Sequence, residues 1–208
     1  PNKTNKITGN STFLIKGKDF IIENLGEFQY KIGANSFFQI NPKMAYLMFD
    51  NAKKLIKKRG NLIDLYGGSG TIGIFMKDLA DKIYLIEENE EATNLAKENY
   101  KMNNVENFEI INLTAKEAIQ KFNFKDTNFE NIILDPPRKG SDEETLKTIS
   151  KITKNIIYIS CNPMTLYRDS KILVENGFKL TSIQPADMFP NTHHIECIAH
   201  FEKGENFA

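Results

Sequence analysis

The chain has 208 residues, of which 40% are hydrophobic and 26% charged, and its formal net charge is zero. This composition is typical of a globular protein with a substantial core, and no segment resembles a transmembrane run or a signal peptide. Because its two cysteines, Cys161 and Cys197, do not make a disulfide framework, the sequence predicts a cytoplasmic protein with no membrane partner.

The N-terminal part of the chain is predicted to be rich in β-structure. Short apolar runs separated by polar turns predict strands over residues 12–15, 20–23 and 28–32. Apolar residues then recur at helical spacing, which predicts a helix over residues 43–58. We therefore expect a β-rich segment at residues 1–42 and a larger catalytic domain at residues 43–208.

From residue 61 onward the sequence alternates apolar strands with amphipathic helices. The predicted strands cover residues 62–65, 82–87, 108–111, 131–135, 156–160, 178–183 and 195–201. The predicted helices cover residues 71–79, 89–103, 114–122, 141–153 and 163–175. This alternation predicts an α/β fold with a mostly parallel seven-stranded sheet and helices on both faces. No helix separates the last two strands, so the last strand is expected to run antiparallel.

Glycines and an acidic residue follow the first two strands of this sheet. The glycine segment, residues 64–71 (DLYGGSGT), opens a helix, so its backbone can approach a ligand closely. Glu87 ends the next strand, where an acid accepts hydrogen bonds from ribose hydroxyls. Because the glycines do not form a Gly-x-Gly-x-x-Gly motif, they favour a nucleoside such as S-adenosylmethionine over a dinucleotide.

Three further residues suit catalysis. In the DPPR loop, which starts at residue 135, prolines without N–H groups stiffen the chain and direct Asp135 into the cleft. Cys161 follows a buried strand and precedes an Asn-Pro pair that predicts the start of a helix. The positive end of that helix is expected to favour the thiolate form of Cys161, which attacks electrophiles. Glu196 opens the last strand, where its carboxylate can serve as a base.

Each of these features, taken alone, also has a structural interpretation. The glycine segment can be a plain turn, the DPPR loop a rigid turn, and Glu196 an edge-strand acid. Residues 1–60 carry eleven Lys and Arg against four acids, which suits a polyanion but also a solvated lysine-rich helix face. His193 and His194, together with the cysteines, match no structural zinc pattern, so no metal is expected.

In combination, the motifs resemble those of the RNA uracil-C5 methyltransferases. The similarity covers roughly residues 25–203 in the family's order: SFFQINP at 36–42, the glycine segment, DPPRKG at 135–140, SCNPMTLYRD at 160–169 and DMFPNTHHIE at 187–196. The resemblance implies a Rossmann-like methyltransferase fold that uses S-adenosylmethionine to form 5-methyluridine. It implies RNA as the partner, with ribosomal RNA favoured over transfer RNA, and no protein partner is evident.

The resemblance also implies roles for individual residues. By matching position, Cys161 is the nucleophile and Glu196 the general base. The implied cofactor or active-site contacts are Gln39, Tyr66, Gly68, Gly70, Thr71, Glu87, Asn112 and Asp135. Uracil C5 is too weak a nucleophile to take a sulfonium methyl group unaided, so a thiolate must add to C6 and a base must later remove the C5 proton. Arg138 is expected to stabilise the enolate charge.

The sequence departs from the family's pattern in two ways. Gly67 stands where family members usually have Cys, which is expected to relax the turn without affecting catalysis. The chain also lacks the family's N-terminal oligonucleotide-binding barrel and its iron–sulfur cysteines. We therefore expect a catalytic portion of a longer enzyme.

The sequence leaves two other functions open. Amino-group methyltransferases also use an Asp-Pro-Pro loop, whose oxygens bind an exocyclic amine, and they need no nucleophile. A cofactor-binding or RNA-binding module without turnover is the second alternative. Phe37 and Phe38 can either pack in the core or line the path of a uracil that leaves its stack.

Overall fold

A computed structural model describes residues 13–121 and 127–204 of the chain. An N-terminal hairpin is formed by β1 (Phe20–Leu25) and β2 (Phe28–Gly33). The larger sheet contains β3 (Gly60–Leu65), β4 (Ala80–Ile86), β5 (Phe108–Ile111), β6 (Asn131–Leu134), β7 (Asn155–Ser160), β8 (Phe178–Ala186) and β9 (Glu196–Lys203). The described helices are α1 (Pro42–Lys53), α2 (Thr71–Phe75), α3 (Glu90–Met102), α4 (Ala115–Lys121), α5 (Glu143–Ile152) and α6 (Pro163–Glu175). A short 3₁₀ turn at Lys77–Leu79 follows α2.

The larger sheet has seven strands in the order β5-β4-β3-β6-β7-β9-β8. The first five strands in this order pair in parallel, whereas β9 runs antiparallel to both β7 and β8. The predicted mostly parallel sheet with an antiparallel last strand is therefore confirmed. β8 lies at the edge and extends to Ala186, three residues beyond its predicted end, because an edge strand tolerates Pro185.

Two apolar layers cover the faces of this sheet. Successive residues of β6 point to opposite faces: Ile132 and Leu134 join the cluster under α4, α5 and α6, and Ile133 joins the cluster under α1, α2 and α3. All three side chains are fully buried. The continuous apolar runs that predicted the strands thus reflect burial on both faces.

The N-terminal hairpin packs on α3 through two buried asparagines. Asn99 Oδ1 accepts from the Lys31 N–H at 2.7 Å, and Asn103 Oδ1 accepts from the Gln29 N–H at 3.0 Å. These amides satisfy the edge of β2 where no third strand pairs with it in the described chain. The fully buried Tyr30 carries the hairpin into the same core cluster as α1 and α2.

Three predicted elements differ from the structure. The strand over 12–15 is wrong where it is described, since residues 13–15 form no strand and Phe13 and Ile15 are exposed; residue 12 lies outside the described residues. α1 ends at Lys53 rather than at residue 58, because tight i→i+3 turns then bring Ile56 into the core. The helix predicted over 71–79 divides into α2 and the 3₁₀ turn, since the chain must re-enter the sheet at Ala80. Residue 122 of the predicted fourth helix lies outside the described residues.

The topology brings the polar loops together at the C-terminal end of the parallel strands. The glycine segment, the turn after β4, the DPPR loop and the turn at Cys161 all follow the C-terminal ends of parallel strands. Because β9 is antiparallel, its first residue, Glu196, lies at this same end. No helix in the described ranges is long and apolar enough to cross a membrane.

Candidate active site

Cys161 directly follows β7, and Glu196 is the first residue of the neighbouring strand β9, so both lie at the C-terminal end of the parallel strands. Ser160 of β7 pairs with Cys197 of β9 in an antiparallel register, so the next position on each strand brings Cys161 opposite Glu196. The Cys161 side chain is half-buried, whereas Glu196 is only 4% exposed. The register therefore brings together a thiol and a carboxylate that are 35 residues apart in the chain.

The turn that carries Cys161 has the predicted local structure. Asn162 caps α6, its Oδ1 accepting from the Met164 N–H at 3.0 Å, and Pro163 is the first helical residue. The expected preference for thiolate, however, is wrong. Burial raises the pKa of the Cys161 thiol, the carboxylates of Glu196 and Asp135 raise this pKa further, and Arg138 lowers it only in part. Burial and the two carboxylates thus oppose the thiolate form that the helix was expected to favour.

The two carboxyl groups beside Cys161 both hold their protons more tightly than usual. Burial raises the pKa of Asp135 to about 8, and the charges of Glu196 and Asp64 contribute in the same direction. Burial raises the pKa of Glu196 to about 7, although Arg138 opposes this shift. A carboxylate with a raised pKa is a better proton acceptor near neutral pH, so Glu196 suits the role of a base.

Arg138 is the cation of this site and extends from the DPPR loop, residues 135–141. Its guanidinium Nη2 lies 3.4 Å from Nδ1 of His194, and its backbone carbonyl accepts from Nδ2 of Asn162 at 3.0 Å. Thr165 Oγ1 lies 3.4 Å from the same carbonyl. The loop is therefore held against the start of α6. The sequence did not predict the contact with His194, although His194 lies only two residues before Glu196.

The glycine segment forms an open cradle beside Glu87. Gly68 has φ +53° and nothing lies within 4 Å of the position a Cβ would take. Its N–H donates to Oε2 of Glu87 at 3.1 Å, while Oε1 of Glu87 accepts from the Asn89 N–H at 2.8 Å. Gly70, with φ +84°, begins α2 at Thr71. Glu87 thus lies against the glycine segment.

A buried polar layer lies beneath the glycine segment. Asp64 is fully buried, and its Oδ2 accepts from the Gly73 N–H at 2.9 Å. Burial is the main cause that raises the pKa of Asp64 to about 7. Gly67 also packs tightly, since a Cβ there would lie 2.7 Å from Cγ of Leu85. The turn at Gly67 is therefore closely filled rather than relaxed.

Gln39 and Asn112 are both predicted to contact the cofactor or the active site, and they differ in which of their hydrogen-bonding atoms already have partners. The oxygen of Gln39 is buried and has no hydrogen-bond partner among the described residues, so a donor from a ligand would satisfy it. Asn112 donates both amide hydrogens to the backbone, to the carbonyls of Glu87 and Glu88 at 3.0 Å each. Asn112 therefore shapes the turn after β4.

The residues at this end of the sheet fit a nucleoside cofactor. The open space over Gly68 and the carboxylate of Glu87 lie together where β3 and β4 end, and the buried oxygen of Gln39 has a free acceptor. In the part of the chain that the structure describes, no group of three or more His, Cys, Asp or Glu side chains is placed to hold a metal ion.

The two phenylalanines of the SFFQINP motif have different environments. Phe38 packs against the ring of Tyr30, with the ring centroids 5.7 Å apart, and belongs to the core. Phe37 is 70% exposed. Core packing thus explains Phe38, whereas Phe37 has a free ring face that a base can contact.

Comparisons with known proteins identify the family to which the chain belongs. A family profile described as tRNA (Uracil-5-)-methyltransferase matches residues 7–204. An uncharacterized RNA methyltransferase of Bacillus cereus is 38% identical, over 99% of this chain and 45% of that protein. Another, from Fusobacterium nucleatum, is 37% identical, over 97% of this chain and 44% of that protein. The chain spans slightly less than half the length of these curated relatives.

Solved structures show the same fold. The tRNA (uracil-54, C5)-methyltransferase of Pyrococcus abyssi, in complex with S-adenosyl-L-homocysteine, superposes with a TM-score of 0.77 and 32% identity, over 89% of this chain and 45% of that one. A SAM-dependent methyltransferase of Agrobacterium tumefaciens is only 13% identical but has a TM-score of 0.68, over 91% of this chain and 72% of that one. The fold is therefore the Rossmann-like methyltransferase fold that the motifs implied. Because the profile matches nearly the whole sequence, the chain belongs to the tRNA (uracil-5-)-methyltransferase family.

Proposed function

We propose that this chain is the catalytic part of an S-adenosylmethionine-dependent methyltransferase that forms 5-methyluridine in RNA. The observation that carries the proposal is the pairing of Cys161 with Glu196 across β7 and β9. This pair supplies the nucleophile and the base that methylation at uracil C5 requires. Family membership and the fit of the cradle to a nucleoside support the same conclusion.

The cofactor would be held by the glycine segment and its neighbours. Gly68 leaves room for close approach, Glu87 presents an acceptor, and the buried oxygen of Gln39 accepts a hydrogen bond. Bound there, S-adenosylmethionine supplies an electrophilic methyl group on a sulfonium. The similarity to an enzyme solved with S-adenosyl-L-homocysteine supports this choice of cofactor.

In the first step, the Cys161 thiolate adds to C6 of the uracil. The S–C6 bond forms, the C5–C6 double bond breaks, and its electron pair makes C5 nucleophilic as part of an enolate. Arg138, which already lowers the pKa of Cys161 electrostatically, would stabilise the negative charge of that enolate. Burial and the two carboxylates raise the pKa of the thiol, and Arg138 opposes them, so it favours formation of the thiolate.

In the last step, Glu196 removes the proton from the methylated C5. The C–H electron pair restores the C5–C6 double bond, the S–C6 bond breaks, and the thiolate of Cys161 is released. The raised pKa of Glu196 makes it a stronger proton acceptor than an ordinary carboxylate. The proton then leaves Glu196 to solvent before the next turnover.

The surface beside Cys161 suits RNA. Met164 and Tyr167, on the first turns of α6, are 75% and 61% exposed, and Nζ of Lys171 lies 4.6 Å from the Tyr167 ring centroid. Arg138 and Lys139 are exposed on the adjacent DPPR loop. Exposed rings next to cations bind unstacked bases and the phosphates between them. A target uridine must leave its stack to reach Cys161, so its neighbours need such a surface.

The test is to incubate the protein with labelled S-adenosylmethionine and transcripts of ribosomal or transfer RNA, and then to identify the modified nucleoside by mass spectrometry. We expect 5-methyluridine, lost in Cys161→Ser and retained in Cys197→Ser. The sequence favours ribosomal RNA, and the two transcripts test that preference directly. A methyl group on an exocyclic amine would instead support an amino-group methyltransferase, and RNA binding without product would support a binding module.

A further inference from the structure

We propose that Asp169 is a positioning residue that holds the DPPR loop, and with it Arg138, beside Cys161. The proposal rests on the proposed function, in which Arg138 acts on the thiolate and the enolate. Asp169 lies in α6, eight residues after Cys161, and its side chain is fully buried. It therefore does not touch solvent or substrate and acts through the loops that it binds.

One oxygen of Asp169 bridges the two segments that carry the site. Oδ2 accepts from the backbone N–H of Ser141, the last residue of the DPPR loop, at 2.8 Å. The same oxygen accepts from the hydroxyl of Tyr158 in β7 at 2.6 Å, three residues before Cys161. The DPPR loop and the strand that delivers the nucleophile are thus joined through a single buried atom.

The other oxygen of Asp169 binds Arg168, which holds the loop from outside. Nε and Nη2 of Arg168 lie 2.8 Å and 2.6 Å from Oδ1 of Asp169. Nη2 also donates to the backbone carbonyls of Lys139 and Ser141, at 3.0 Å and 2.9 Å. Loop carbonyls on both sides of Gly140 are therefore bound by one guanidinium, whose orientation depends on Asp169.

The loop packs on this pair with no spare room. Gly140 has φ +76°, and a Cβ there would lie 2.6 Å from both Arg168 Nη2 and Asp169 Oδ2. Ser141 extends the network to the glycine segment, because its Oγ lies 2.8 Å from the hydroxyl of Tyr66. The contacts of Asp169 thus extend to the DPPR loop and β7 directly, and to the glycine segment through Ser141.

A positioning role explains why a carboxylate occupies this buried place. Asp169 is fully buried whereas its partner Arg168 is half exposed, and removing a carboxylate from water is costly unless it is paired and hydrogen-bonded. The directional hydrogen bonds of such a carboxylate fix the geometry of the groups it binds. For Asp169 those groups are the ends of the DPPR loop and of β7.

The test is Asp169→Asn, which keeps the size of the side chain but removes the charge that orients Arg168. We expect turnover to fall by about 10²-fold, since a misplacement of about 1 Å at a reacting group has that effect. We also expect the pH profile of Cys161 alkylation by iodoacetamide to move to higher pH. The groups that act on this thiol are Glu196 and Asp135, which raise its pKa, and Arg138, which lowers it. If Arg138 leaves its position, its charge no longer opposes the two carboxylates, and the pKa of Cys161 rises.

His200→Gln is the matched control for a general loss of stability. His200 is buried on β9 away from Glu196, with its ring nitrogens 2.6 Å from Asn155 Oδ1 and 2.8 Å from Thr181 Oγ1. We expect this variant to lower the melting temperature without moving the Cys161 profile. The proposal is overturned if Asp169→Asn keeps turnover within about twofold of the wild type and leaves the midpoint of the Cys161 alkylation profile unchanged. It is also overturned if His200→Gln, with the same melting temperature as Asp169→Asn, lowers turnover and shifts the alkylation midpoint to the same extent. If the unmodified chain methylates no RNA, the proposed function fails, while the alkylation profile still tests the positioning.

Discussion

At the residue scale, the thiol of Cys161 lies in surroundings that oppose its ionisation. Burial, Glu196 and Asp135 raise its pKa, and Arg138 is the opposing charge. These surroundings therefore favour the protonated thiol over the thiolate in the free protein. This limits adventitious oxidation and alkylation when no substrate is bound.

This environment predicts a specific pH profile for Cys161. The rate of alkylation, followed by mass spectrometry of the Cys161 peptide, is expected to rise with pH and to reach its midpoint above that of an ordinary thiol. Glu196→Gln removes a carboxylate that raises the pKa of this thiol, so the midpoint is expected to fall. Glu202→Gln, on the same strand but away from the site, is the control and should not move it. A midpoint below the ordinary thiol value in the unmodified chain would show that the helix, rather than the carboxylates, dominates.

The sequence was enough to propose Cys161 and Glu196 as the reacting residues, but it did not indicate their electrostatics. Cys161 and Glu196 each follow from a local motif at a strand end. The pKa of Cys161 depends on groups 26 and 35 residues away, whose approach only the sheet register determines. Asn112 shows the same limit, because no local signal indicated that its Nδ2 donates to the carbonyls of Glu87 and Glu88.

At the element scale, α2 and the glycine segment are packed directly on α3. A Cβ at Gly73 would overlap the hydroxyl of Tyr100 and would lie 2.9 Å from Oδ2 of Asp64. Tyr100 is fully buried, and its hydroxyl has no hydrogen-bond partner among the described residues. Gly73 is therefore required by the close approach of two helices rather than by its backbone conformation.

We accordingly expect Gly73→Ala to destabilise the protein by about 1–3 kcal/mol, the usual effect of overpacking a core. This outcome opposes helix propensity, which alone favours Ala over Gly by about 1 kcal/mol. Thermal or urea unfolding measures the difference. Combining the change with Tyr100→Phe, which removes the overlapping hydroxyl, should recover much of the loss. A Gly73→Ala variant as stable as the unmodified chain would contradict the close packing.

Element boundaries were predicted well where one local signal sets them. α6 begins and ends where its N-cap and apolar spacing indicate, and β5 matches its predicted range. The strand over 12–15 failed because hydrophobicity alone does not provide a partner strand. The attachment of β2 to α3 was not predicted, since Asn99 and Asn103 lie about 70 residues from their backbone partners and carry no local signal.

At the scale of the whole molecule, the sheet topology turns separate motifs into one site. Parallel strands bring the glycine segment, the DPPR loop and Cys161 to one edge, and the antiparallel β9 returns Glu196 to it. The alternation of strands and helices predicted the parallel part of this arrangement. The chain spans about 45% of the Bacillus cereus relative, and the RNA contacts that we propose near the exposed Tyr167 belong to this part of the longer protein.

The central claim, that Cys161 attacks uracil and Glu196 removes the C5 proton, is tested most directly with RNA in which the uridines are replaced by 5-fluorouridine. Fluorine at C5 leaves no proton for Glu196 to remove, so the S–C6 bond cannot break after methylation. With S-adenosylmethionine present, we expect a protein–RNA adduct that survives denaturing electrophoresis, persists in Cys197→Ala and is absent in Cys161→Ala. If methylated uridine forms on ordinary RNA while 5-fluorouridine RNA yields no adduct, or if the adduct persists in Cys161→Ala, the proposed chemistry is wrong.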